Sequence, residues 1–168
     1  MLRLPLMLIG VSLGQLFYNR ASELYNQGKS IIPMLNKMLI GLTLFAIIPF
    51  GLLFFYGEVL FSFVFGKDWG LAGSYSETMS VWLMVNFIIS PISAIPLILR
   101  KQKTFFFMGI ISSALMVIPF WFFPWKYGRT QEVFHLSLQV VSYAQAIWLL
   151  FTIFVFYRFA LKTNQSKI

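Results

Sequence analysis

The chain offers very little with which to do ionic chemistry. Its ionisable acids are Glu23, Glu58, Asp68, Glu77 and Glu132, its one imidazole is His135, and it has no cysteine. Thiolate chemistry, disulfides and cysteine-based metal sites are excluded outright. A single histidine leaves no multi-histidine metal centre, and no cofactor motif occurs. The carboxylates are widely spaced along the chain, mostly at loop edges, and no pair has a spacing suited to metal or phosphate chemistry. There is no glycine-rich phosphate loop and no G-x-S-x-G elbow. Only Asp68 and Glu77 flank a common loop, as a membrane-bound transferase would require of its acid pair. The simpler reading of both is a hydrated turn. The single imidazole lies less than one turn inside a helix boundary, where an interfacial hydrogen bond is expected rather than a proton relay.

What remains is neutral polar chemistry. Asn86, Ser90 and Ser93 fall within about 60° of arc on one helix at 3.6 residues per turn. A second face carries His135, Gln139, Ser142 and Ala146, with Gln145 further round. Such stripes face other helices or a water-filled cavity rather than lipid. Asn86, Ser90, Ser93, Gln139 and Ser142 are therefore the candidate cavity-lining residues; catalytic, cofactor and metal residues are not expected.

The elements that position these groups are apolar runs. The chain is 59% hydrophobic and 11% charged, with mean hydropathy +0.80, whereas soluble domains carry about a quarter charged residues. Uncharged runs of 20, 22, 22 and 25 residues separate Lys37 from Glu58, Glu77 from Arg100, Lys103 from Lys126 and Glu132 from Arg158. Each meets the roughly 20 residues needed to cross a bilayer core of about 30 Å. The expected fold is all-α: a single polytopic membrane domain over residues 1–168. Its complete spans fall at about 38–57, 76–99, 104–123 and 133–157, and residues 4–19 form a partial N-terminal span.

Punctuation refines this. Gly28 is expected to end a helical turn, and Pro33 to sit near the start of the next helix. Pro49 should kink the first complete span. The segment 59–66 either continues that helix or lies along the interface. Gly10 and Gly14 form a G-x-x-x-G pair that allows close helix approach, and Gly109 with Ser113 forms a similar small-residue pair. Glu77, near an outer helix end, is read as solvated.

Lysines and arginines sit at run ends. Residues 20–37, 100–103 and 158–168 carry nine, against three (Lys67, Lys126, Arg129) in the two opposite loops. The positive-inside rule places the first group, and the C-terminus, in the cytoplasm, and counting Arg3 outside does not change that. No basic face with interleaved aromatics exists, so nucleic acid is not an expected partner. The lipid bilayer is.

The stretch 12–29, SLGQLFYNRASELYNQGK, resembles the end of a span and the following cytoplasmic loop in Wzx-type flippases. These are the O-antigen and lipopolysaccharide repeat-unit transporters of the polysaccharide branch of the MATE-like superfamily. Residues 61–75, FSFVFGKDWGLAGSY, are similar to that family's FG-x-x-W-x-x-A-G-x-Y segment, with Phe65, Gly66, Trp69, Ala72, Gly73 and Tyr75 all matching. The likeness continues through the proline-containing span after Trp82 and the basic hairpin at 100–103.

The resemblance implies a multi-pass protein of the bacterial inner membrane that moves undecaprenyl-pyrophosphate-linked oligosaccharide towards the periplasmic leaflet during polysaccharide biosynthesis. It covers the C-terminal part of such transporters. It therefore implies a partner, either the missing N-terminal bundle or another membrane subunit, and little activity from this chain alone. The motif positions look structural, and no substrate-binding residue carries over. Two alternatives stand beside it: an accessory or structural multispan subunit bound through the Gly10/Gly14 face, and a membrane-bound transferase of the same pathway.

Overall fold

This structure, a computed structural model, describes the backbone of residues 3–165 and the side chains of residues 14–162. Among these residues there are helices and turns but no strands. Helix α1 (Arg3–Asn26) runs through the polar stretch beyond Arg20 before it stops. Two bonds, from the Gly28 N–H to the Tyr25 carbonyl (3.1 Å) and from the Lys29 N–H to the Leu24 carbonyl (2.8 Å), close its end. This is the paired closure that a left-handed residue after a helix allows. Pro33 then occupies the first turn of α2 (Ile32–Phe65), as its missing N–H favours.

At 34 residues α2 is about 50 Å long, and the 59–65 segment simply continues it. Pro49, where a kink is expected, lies inside α2 without leaving helical φ/ψ. The non-helical residue is Tyr56 (φ −136°, ψ 19°). The reason is tertiary: immediately beyond it Gly57 lies backbone-to-backbone against Gly73, and the helix deforms to permit that approach. Gly66 ends α2 at φ 103°, a conformation that strains any residue with a side chain.

A 3-10 turn (Lys67–Trp69) leads into α3 (Gly70–Ile89). Pro91 and Pro96 remove two backbone donors, and the chain continues as a 3-10 segment (Ser90–Ala94) and a short α4 (Ile95–Ile98). Arg100 closes this run in the left-handed region (φ 57°). Its N–H reaches the Leu97 carbonyl (3.2 Å), and the Lys101 N–H reaches Pro96 (2.7 Å). A non-glycine residue in that region costs about 1–2 kcal/mol. Arg100→Gly is therefore expected to raise the thermal midpoint of the detergent-solubilised protein; an unchanged or lower midpoint would contradict this account of the turn. The chain then forms α5 (Gln102–Tyr127) and α6 (Gln131–Gln165).

Among the described residues four helical runs are long and apolar enough to cross a membrane: Ile32–Phe65, Lys67–Ile98, Gln102–Tyr127 and Gln131–Lys162. The molecule is a multi-pass membrane protein. Burial ranks its parts: 56% of the most apolar stretch of Lys67–Ile98 is buried but only 6% of that of α5, so α3 is the hub and α5 the outer wall. Large apolar side chains such as Ile48, Phe63, Phe106 and Trp125 point outward, as lipid contact requires.

Packing follows from this arrangement. Leu42, Ala46, Phe50, Phe87 and Ile88 join α2 to α3. Trp82 and Val85 meet Ala146 between α3 and α6. A third cluster, with Phe17, Leu35, Ile95, Leu99 and Phe156 among its members, gathers the last turns of α1, the start of α2, α4 and the end of α6 at one end of the bundle.

Candidate functional site

Some of the neutral polar residues join helices, and others line two cavities towards opposite ends of the bundle. The first, about 540 Å³, lies between α1 and the proline-broken run, lined by Gln15, Tyr18, Asn19, Ser90, Pro91 and Ser93 among others. Pro91 is the local cause, since it converts one helical turn to tighter 3-10 geometry just where α1 crosses. The Ser93 hydroxyl donates to the Ser90 carbonyl at 2.7 Å, which holds the bend and leaves the hydroxyl's lone pairs free to accept. Gln15 and Asn19, exposed and four apart on α1, present amides from the other side. Among the described residues no charged side chain lines the cavity; Arg20, the next cation along, is paired with Glu23. Gly14 faces Pro91 here, with room for a methyl group whose nearest atom would be 3.6 Å away. The side chain position of Gly10, the other half of that pair, lies outside the described residues.

The second cavity, about 860 Å³, opens between α3 and α6 and is lined by Ser74, Tyr75, Thr130, Glu132, His135 and Gln139 among others. His135 Nε2 lies 3.2 Å from Thr78 Oγ1. Tyr75 packs on Phe134 and His135, with ring centroids 5.4 and 5.9 Å away.

Of the candidate cavity-lining residues, Ser90 and Ser93 are at the first cavity, and Gln139 is at the second. Asn86 is exposed and lines neither. Ser142 is buried, and its hydroxyl donates to the Thr78 carbonyl (2.7 Å), tying α6 to α3. Gln145 is likewise buried: its Nε2 donates to the Ser112 carbonyl (2.6 Å), and the Ser112 hydroxyl returns a bond to Oε1 (3.0 Å). The two stripes are therefore partly a helix adhesive and partly cavity lining. Sequence reasoning missed Gln15 and Asn19, whose signal was an i, i+4 amide pair in an uncharged run.

Glu77 corrects a further expectation. It is half-buried rather than freely solvated, and its Oε1 accepts the Glu58 N–H at 2.8 Å. That N–H would have bonded within α2 had the helix not broken at Tyr56. Glu77→Gln keeps an acceptor and is expected to be nearly neutral. Glu77→Leu should cost about 1 kcal/mol, the net worth of one hydrogen bond, read as a lower thermal midpoint; equal midpoints for the two variants would refute this role. Asp68 is exposed in the 3-10 turn. Among the described residues no three His, Cys, Asp or Glu side chains come together as a metal site would require.

Comparison of the chain with protein-family models, with curated proteins and with solved structures returned no match.

The residues of the 65–75 segment all have local structural work. Phe65 packs between Phe61 and Trp69, at 5.5 and 5.7 Å. Gly66 caps α2, and Gly73 makes the closest approach between α2 and α3. The Ala72 carbonyl accepts from the Ser76 hydroxyl (2.8 Å), and Tyr75 heads the ring cluster of the second cavity.

Proposed function

We propose that this chain is one bundle of a transporter that moves a polyprenyl-pyrophosphate-linked oligosaccharide between leaflets of the bacterial inner membrane, in the manner of the flippases its 12–29 and 61–75 segments resemble. The observation that carries the reading is the first cavity: a helix interrupted by Pro91 and Pro96, with its bend facing neutral amides and hydroxyls on α1. Broken helices around a polar cavity are the usual setting for substrate in transporters. The cavity's exposed polar residues would be poorly solvated by lipid tails, so a second helical bundle, from the same polypeptide or another, faces them. Export rather than catalysis suits the lining, whose described residues offer hydrogen bonds but no acid–base pair.

The test is surface glycan in the native host. Asn19→Leu with Ser90→Leu should lower it roughly tenfold, the effect of losing about 1.4 kcal/mol of contact with the cargo, while the amount of protein in the membrane is unchanged. Undiminished export would overturn the proposal. The exposed Asn86, outside both cavities, favours a second reading as an accessory subunit. That reading expects Asn86→Leu to release a copurifying membrane protein while the cavity double variant leaves export intact.

A further inference from the structure

We infer that the end of the bundle carrying the α1–α2 turn and the α4–α5 hairpin is a docking surface for anionic lipid headgroups, whatever the cargo. Three separate segments bring cations there. Arg20, Lys29 and Lys37 surround the α1–α2 turn, the hairpin at 100–103 adds three more, and Arg158 and Lys162 lie in the last turns of α6. One packed cluster holds them in place. All but Lys103 lie within two residues of a buried member of it: Ala21, Ile31, Leu35, Leu99, Phe156 or Ala160. The cations are thus fixed at one end by the fold itself, not scattered on loose loops.

All eight are exposed, and the one carboxylate at this end among the described residues, Glu23, is engaged by Arg20. The opposite end differs in kind. It sets Lys67, Lys126 and Arg129 against Glu58, Asp68, Glu77 and Glu132 among the described residues. One end therefore carries a large uncompensated positive charge and the other is close to neutral. Exposed apolar side chains, Leu97, Phe105 and Phe106, border the basic hairpin. That puts its cations at the depth of headgroups rather than out in solution, where nucleic acid or a soluble acidic protein would meet them. Each such cation near an anionic leaflet is worth about a fivefold preference.

The test uses the purified full chain in detergent with an equimolar mixture of phosphatidylglycerol and phosphatidylcholine, counting retained lipids by native mass spectrometry. Phosphatidylglycerol should be retained at least about fivefold over phosphatidylcholine. Replacing Lys29, Arg100, Lys101 and Lys103 together by Gln should remove most of the preference. Replacing Lys67, Lys126 and Arg129 by Gln should leave it intact. Equal retention of the two lipids by the parent chain, or equal loss in both variants, would overturn the inference. Excess inorganic phosphate should not displace the lipid beyond what sodium chloride of equal ionic strength does; if it does, the surface is a soluble-phosphate site and the inference fails. Should the four-residue variant misfold by circular dichroism, raising salt on the parent chain decides. The preference should collapse as the screening length shrinks to about 3 Å at 1 M, and persistence there would overturn the inference.

Discussion

Gly73→Val should disrupt the packed α2–α3 pair and with it most of the bundle's stability. An ideal Cβ at Gly73 would lie 2.5 Å from the Glu58 Cα and 2.8 Å from the Gly57 carbonyl carbon. Both are backbone atoms, so no rotamer change makes room. The contact is reciprocal, because a Cβ at Gly57 would lie 2.8 Å from the Gly73 carbonyl oxygen and 2.6 Å from the Glu77 Cγ. Forcing the helices apart would also strip the Glu58 N–H of its bond to Glu77 and loosen the Leu42–Phe87 cluster beneath. Overpacking against movable side chains costs about 1–3 kcal/mol. Against two backbones, in the pair on which the hub helix depends, the upper end or more is expected. The control is Gly51→Val, on the partner helix α2, where nothing lies within 4 Å of the added atom. Thermal melts in detergent should show a large fall for Gly73→Val and almost none for Gly51→Val. If the two melt alike, the glycine contact is not what joins these helices.

The second large effect is expected at Gln145. Helix α5 is held weakly by apolar burial: Met108 is its buried side chain among the described residues. Its specific attachment to α6 is the reciprocal amide–serine pair, Gln145 with Ser112. An interhelical hydrogen bond in a membrane protein is worth about 0.6 kcal/mol on average and up to about 1.7. Gln145→Leu removes two at once and leaves the Ser112 hydroxyl facing an apolar group. Ser112→Ala removes one and leaves its carbonyl available to the amide. Hydrogen exchange should therefore rise along α5 in Gln145→Leu, rise less in Ser112→Ala, and stay unchanged in α2 and α3. Because the chain has no cysteine, a single cysteine introduced at Ser113 offers a second readout, with faster thiol labelling expected in the Gln145→Leu background. Unchanged exchange and labelling would show that lipid and apolar contact alone retain α5.

Several features were legible in the residues because they are local. Run length between charges is enough for four spans, since a bilayer requires about 20 apolar residues whatever surrounds them. The ends were readable for the same reason. Pro33 tolerates only the first turn of a helix, Gly28 suits a helix stop, and 100–103 is too polar and too short to be anything but a hairpin. The grouping of cations also followed from order along the chain, because alternating spans bring every second connector to one side.

The candidate site was legible only in part. Helical spacing places Ser90 with Ser93, and Gln139 near Ser142, on shared arcs, but it says nothing about how each helix is rotated against its neighbours. Rotation decided that Ser142 turns to the Thr78 carbonyl while Gln139, less than one turn away, opens into a cavity. It also decided that Ser90 meets Gln15 and Asn19, residues far from it in the chain. The break in α2 illustrates the limit most plainly. Proline marks where a helix loses one of its own hydrogen bonds, and that much is readable at Pro49. Nothing local marks Tyr56, where Gly57 and Gly73 bring two backbones together and Glu77 supplies the acceptor that makes the break tolerable. Spans, and which connectors share an end, were determined by the sequence alone, because they depend on local hydropathy and on alternation along the chain. The contacts that join the helices and shape the cavities were decided by tertiary structure, because they depend on atoms that no local pattern brings into register.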